Sequence, residues 1–191
     1  MQHDHQFARL IKLCAIFTSL LCAMFTLVYH FFENDVVLAL AITAGTTAYH
    51  FLMRLAVGWF VSLIPKGKLD PNGFWFRQRP FEKKLYRALR IRRWKDQMPT
   101  YDPRKFSLEL NTTEEIIQNS CEAELVHEII IVASFLPMLA SLLYGAFAVF
   151  LVTSLLAAGL DCCFVIMQRY NRPRLQRYQN RFNATKRRQR T

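Results

Sequence analysis

Residues Leu125 to Met167 read LVHEIIIVASFLPMLASLLYGAFAVFLVTSLLAAGLDCCFVIM. The run is about twice the roughly 20 residues that one helical crossing of a bilayer needs. Tyr144-Gly145 near its middle predicts a tight turn between two helices, and Pro137 predicts a kink in the first arm. Upstream, Ile11–Phe32 and Val36–Ile64 are two further apolar runs, separated by the acidic turn Glu33-Asn34-Asp35. Pro65-Lys66-Gly67 ends the second, which is long enough to tilt or protrude. The first run exceeds the apolar core of a cleavable signal and lacks a small-x-small exit, so it is expected to be retained as a span.

The expected fold is an all-α integral membrane protein, a four-helix transmembrane bundle with an interfacial basic amphipathic cytoplasmic segment. Residues 1–65 form an N-terminal membrane hairpin, 66–118 the basic interfacial segment, 119–168 a C-terminal membrane hairpin and 169–191 a basic tail. A three-span version with a re-entrant C-terminal hairpin would leave the tail on the same side.

Charge orients these spans. The 191-residue chain is 52% apolar, yet its formal net charge is +11. The segment 66–118 holds 13 Lys or Arg and the tail from Arg169 holds 9 with no acid, whereas the turns at Glu33–Asp35 and Gly145 hold none. Basic segments stay on the cytoplasmic side, so both termini are expected there, in a multi-pass protein of a bacterial cytoplasmic (inner) membrane. The sequons at Asn111 and Asn183 would then face the cytoplasm unglycosylated. The five cysteines, at 14, 22, 121, 162 and 163, have neither a disulfide pattern nor metal-ligand spacing, and no metal is expected.

In the loop, Phe74-Trp75-Phe76, Phe81, Leu85, Leu89 and Trp94 alternate with arginines and lysines. Phe81, Leu85 and Leu89 share one helical face, the pattern of a helix lying among lipid headgroups. Nucleic acid could use the same composition. Flanking spans favour the membrane lipid, and no nucleic-acid partner is expected. Thr112-x-x-Glu115 is a capping box, so a helix should start there and run towards the third span.

Ionisable groups at membrane depth are functional candidates. Glu124 and His127 lie three apart on one helical face, where a carboxylate could fix the imidazole tautomer. By spacing alone the pair reads equally as an interfacial ion pair. It is a single Glu-x-x-His copy, and a di-metal bundle needs two. Asp161 precedes the cluster Gln168, Arg169, Asn171, Arg172, Arg174, which reads as positive-inside anchors or as a phosphate site. Asp161 could pair with Arg169 or His50. His50 and Arg54, one turn apart in the second span, read as packing or chemistry, and Arg54 must pair or snorkel. Arg92-Arg93-Trp94-Lys95-Asp96 reads as an interfacial anchor. No Gly-rich phosphate loop, G-x-S-x-G elbow or paired C-x-x-C is present.

Three motifs add a resemblance. Ile91-Arg92-Arg93-Trp94-Lys95-Asp96, Ala123-Glu124-Leu125-Val126-His127 and Gln168-Arg169-Tyr170-Asn171-Arg172-Pro173-Arg174-Leu175 occur in that order. With them, the stretch from about Asn72 to Leu175 resembles the glycosyl-diaponeurosporenoate acyltransferase family, named for the enzyme that acylates the sugar of a carotenoid glycoside. The chain departs from the family pattern at Glu122, Glu128 and Asp161, where the family carries an arginine, an aromatic residue and an asparagine; the acceptor is thereby open.

The resemblance implies acyl transfer at the cytoplasmic leaflet, from acyl-CoA or an acyl carrier protein thioester to a lipid or glycolipid hydroxyl, with no cofactor. In that reading His127 is the general base and Glu124 orients it. Arg169 and Arg172 would bind donor phosphates or the oxyanion, and Asn171 and Gln168 would hold polar groups of donor or acceptor. Trp94 and Lys95 would sit at the rim, and Asp161 and His50 would complete the substrate site. The alternatives are a non-enzymatic membrane adaptor binding anionic lipid or an acidic partner, and methyl or prenyl transfer from the same basic pocket.

Overall fold

The computed structural model describes residues 6–65, 67–145 and 147–188. Lys66 of the Pro65-Lys66-Gly67 stop lies outside them, as do residues 1–5 and 189–191 of the two terminal segments. Among the described residues every regular element is helical. The main helices are α1 (Gln6–Phe32), α2 (Asp35–Ser62), α3 (Glu82–Ala88), α4 (Thr113–Ala133), α5 (Ser141–Tyr144) and α6 (Phe147–Arg188). Among the described residues, four helical stretches are long and apolar enough to cross a membrane: Gln6–Phe32, Asp35–Ser62, Thr113–Tyr144 and Phe147–Arg188. Large apolar side chains point outward along them, such as Phe31, Phe32, Leu142 and Leu143. In water that surface would be untenable; against lipid tails it is the expected state.

The breaks fall where local chemistry forces them. Glu33 takes φ +45° to end α1, and the Asn34 carboxamide accepts the N–H groups of Val36 (2.9 Å) and Val37 (3.4 Å) to start α2. Pro137 converts the chain after α4 into a short 3-10 stretch, Leu136–Ala140. Gly145, at φ +67°, then reverses direction in a region that disfavours a Cβ. The expected tail is not separate, because α6 runs on through Pro173 to Arg188.

The chain forms two compact units, Met1–Phe60 with Ile129–Leu160, and Val61–Glu128 with Asp161–Thr191. In the first, small residues let helices approach: a Cβ at Gly45 would stand 3.1 Å from the Cys22 sulfur. The Tyr49 hydroxyl donates to the Ala133 carbonyl at 2.8 Å. Arg54 donates to the carbonyls of His50 (3.0 Å) and Ala157 (3.5 Å).

In the second unit α3 separates two faces. Phe81, Leu85 and Leu89 are exposed together, as the periodicity predicted, while Glu82 and Tyr86 are buried. The capping box is also present: the Glu115 carboxylate accepts the Thr112 N–H (2.8 Å) and the Thr112 hydroxyl accepts the Glu115 N–H (3.2 Å). Replacing Thr112 by Ala should therefore lower stability by about 1 kcal/mol. Equilibrium unfolding in mixed micelles checks this, and an unchanged midpoint would contradict it.

Candidate functional site

The polar residues of the second unit gather in three places along α4 and α6. Deepest is a charge-balanced cluster of two acids and two arginines. Glu124 is fully buried, Glu82 3% exposed and Arg172 1% exposed. One Glu124 oxygen accepts an Arg169 guanidinium N–H at 2.6 Å, and the other is ion-paired with Arg172. Arg169 also reaches Glu82 at 2.7 Å. It donates further to the backbone carbonyls of Trp75 (3.1 Å) and Arg77 (3.2 Å).

Arg172 donates to the Phe76 carbonyl and lies 5.1 Å from the Phe76 ring centroid. Tyr86 closes the set, its hydroxyl donating to Glu82 at 2.5 Å. Burial, then that hydrogen bond, raises the phenol above its ordinary range, so Tyr86 stays a donor. Isolated, each buried charge would cost several kcal/mol; paired, the four tie loop 74–77 and α3 to α4 and α6.

The second place is a histidine–aspartate pair. His127 Nδ1 lies 2.7 Å from an Asp161 oxygen, with the carboxylate buried and the imidazole partly open. The ring stacks on Phe164, centroids 4.5 Å apart and planes 6° from parallel. This corrects the sequence expectation that Glu124 orients His127. Two permanent guanidinium charges on α6 take the Glu124 carboxylate, and a neutral imidazole cannot compete with them. The Asp161 carboxylate lies on Nδ1 instead, and a carboxylate there favours the tautomer whose Nε2 is free to accept a proton.

The phosphate role expected of Arg172 is corrected too. The guanidinium is 1% exposed, with its terminal nitrogens on Glu124 and the Phe76 carbonyl and only the buried Nε unpartnered, so it is shielded from a ligand phosphate. Arg169 is similarly engaged on both carboxylates.

The third place is a cavity of about 410 Å³. Lys95, Ser120, Gln168, Asn171 and Arg174 line it with Met167 and other apolar side chains. Lys95 pairs with Asp96. The Ser120 hydroxyl donates to the Gln168 carboxamide at 3.0 Å. Trp94 packs beside the core of Tyr86, Ile91 and Tyr170, donating its ring N–H to the Leu89 carbonyl at 3.0 Å. His50 is buried in α2, in the other unit. Of the expected site residues, the structure thus joins His127 to Asp161, Glu124 to the two arginines, and Lys95, Gln168 and Asn171 around one cavity.

Sequence reasoning missed Glu82, Phe164 and Ser120. Glu82 carried a usable signal, being the one acid between Asp70 and Asp96 in a strongly basic loop. Phe164 and Ser120 are indistinguishable from ordinary helix packing in sequence. Among the described residues no group of three or more His, Cys, Asp or Glu is placed to hold a metal ion.

Replacing Glu124 by Gln should strand Arg172 as a buried charge and destabilise the protein by about 3–5 kcal/mol. The detergent unfolding midpoint and protease resistance measure this. A stable but inactive Glu124→Gln protein would instead return Glu124 to a purely chemical role.

Compared with known proteins, residues 72–181 match the family model described as glycosyl-4,4'-diaponeurosporenoate acyltransferase. No curated protein and no solved structure matches the chain.

Proposed function

Because the chain belongs to the glycosyl-4,4'-diaponeurosporenoate acyltransferase family, we propose that it moves a fatty acyl group from an acyl thioester to a hydroxyl of a glycolipid or carotenoid glycoside. The observation that carries the chemistry is the His127–Asp161 pair at 2.7 Å, on the matched segment and stacked on Phe164.

In this mechanism the Asp161 carboxylate accepts a hydrogen bond from Nδ1–H, and Nε2 removes the proton of the acceptor hydroxyl as its oxygen attacks the thioester carbonyl. The new C–O bond gives a tetrahedral oxyanion. Its collapse breaks the C–S bond, and the imidazolium returns its proton to the leaving thiolate. Atoms balance as an ester and a free thiol. The Asp161 carboxylate stabilises the transient imidazolium without itself being protonated. The Glu124–Arg169–Arg172–Glu82 cluster supports the reaction by fixing α4 against α6, so that His127 meets Asp161 in one geometry.

We place the reaction at the cytoplasmic leaflet of a bacterial cytoplasmic membrane. The basic segments 66–118 and 169–191 support that side, and the exposed row Phe81, Leu85 and Leu89 beside Lys83, Lys84 and Arg87 supports contact with anionic lipid headgroups.

In a detergent acyl-transfer assay, His127→Ala should lower kcat by about 10²–10⁴-fold with its unfolding midpoint unchanged. Asp161→Ala should also fall, because the imidazole loses the acceptor on Nδ1 that fixes its tautomer. Wild-type kcat in both variants would overturn the assignment.

A further inference from the structure

A thioester-dependent reaction needs a place for the carrier arm of the donor. The cavity of about 410 Å³ beside Ser120 and Gln168 falls in the size range of small-ligand sites. Its lining is mixed. Arg174 and Lys95 supply cations, Asn171 and Gln168 supply carboxamides, and Met167 and Leu175 supply an apolar wall.

Two of these groups are poised and uncommitted. The Arg174 guanidinium carbon lies over the Tyr170 ring, 3.8 Å from its centroid, a cation–π contact. No described residue accepts a hydrogen bond from it, which leaves its fork of N–H donors for a phosphate. The Asn171 carboxamide, one turn along the same helix face, likewise has no hydrogen-bonded partner among the described residues. Lys95 keeps donors beyond the one on Asp96.

Register links this cavity to the histidine. Ser120 pairs with Gln168 at 3.0 Å, and two turns along both helices His127 pairs with Asp161 at 2.7 Å. The two rungs are about 10 Å apart along the helix axes. A phosphopantetheine arm has the matching order of groups: a phosphate at one end, two amides and a gem-dimethyl along its length, and a thioester at the other end. Extended, it is longer than two helical turns.

We propose that this cavity is the donor subsite, holding the phosphate of a phosphopantetheine arm on Arg174 and Lys95 and its amides on Asn171 and Gln168. The thioester is thereby directed along the α4–α6 seam towards His127. The proposal rests on the acyl-transfer reading but is tested by binding, independently of turnover. Coenzyme A and a phosphopantetheinylated carrier protein present the same arm, so both are probes.

The full chain in detergent is titrated with desulfo-coenzyme A, and separately with holo and apo acyl carrier protein. Binding of desulfo-coenzyme A, or of the holo but not the apo carrier, is expected, and the probe that binds identifies the source. Asn171→Leu and Arg174→Ala should each weaken that binding at least ~10-fold, the loss of one good contact to the ligand, with unchanged unfolding midpoints. Asn171→Leu should also raise KM for the donor while leaving KM for the acceptor unchanged.

No binding to any probe, or equal binding by wild type and both folded variants, would overturn the subsite. If binding is lost in the variants while wild type transfers no acyl group, the subsite stands and the acyl-transfer reading falls. If wild type transfers acyl groups and the variants bind normally, the reverse holds.

Discussion

A fully buried carboxylate is tolerable only when cations and donors replace the water it has lost, and Glu124 imposes that requirement on everything around it. Arg169 and Arg172 meet it from α6, and Arg169 brings in Glu82 from α3. The arginines then use their remaining donors on the carbonyls of Trp75, Phe76 and Arg77. A loop otherwise rich in repelling cations is thereby fixed in place by backbone acceptors. Four charges that sum to zero hold two long helices and a short one in a single register.

That register matters for chemistry because it sets a second contact. With Ser120 opposite Gln168, His127 falls opposite Asp161, and the imidazole meets the carboxylate at Nδ1 while one face stacks on the Phe164 ring. One ion cluster ties the helices together, and the His127–Asp161 pair is a separate contact, the one to which the proposed mechanism assigns proton transfer. Within one helix, Glu124 and His127 therefore have different jobs despite sharing a face.

The fold was largely legible in the sequence because its determinants are local. Apolar run length, the Glu33–Asp35 turn, Pro137 as a break, the Gly145 turn and the Thr112–Glu115 box act within a few residues of where they stand. Composition missed the continuity of α6 through its basic end, because charge alone marks a segment as polar without saying whether it is helical. The site was legible as a set of residues but not as a set of pairs. Spacing placed Glu124 beside His127; the actual partners, Arg172 and Asp161, come from another helix, and which acid takes which cation follows from tertiary register. Glu82 could be suspected only as an isolated acid among bases.

Membership of an acyltransferase family and a histidine paired with a buried aspartate both support the proposed acyl transfer. The most direct measurement incubates the purified protein in detergent with a long-chain acyl thioester, radiolabelled in the acyl group, and a lipid extract of the host. The label is followed by chromatography and the released thiol is titrated. The account predicts label in a new lipid ester, with one free thiol formed per ester. Label that stays on both coenzyme A and carrier-protein donors, or thiol released without ester, would contradict it.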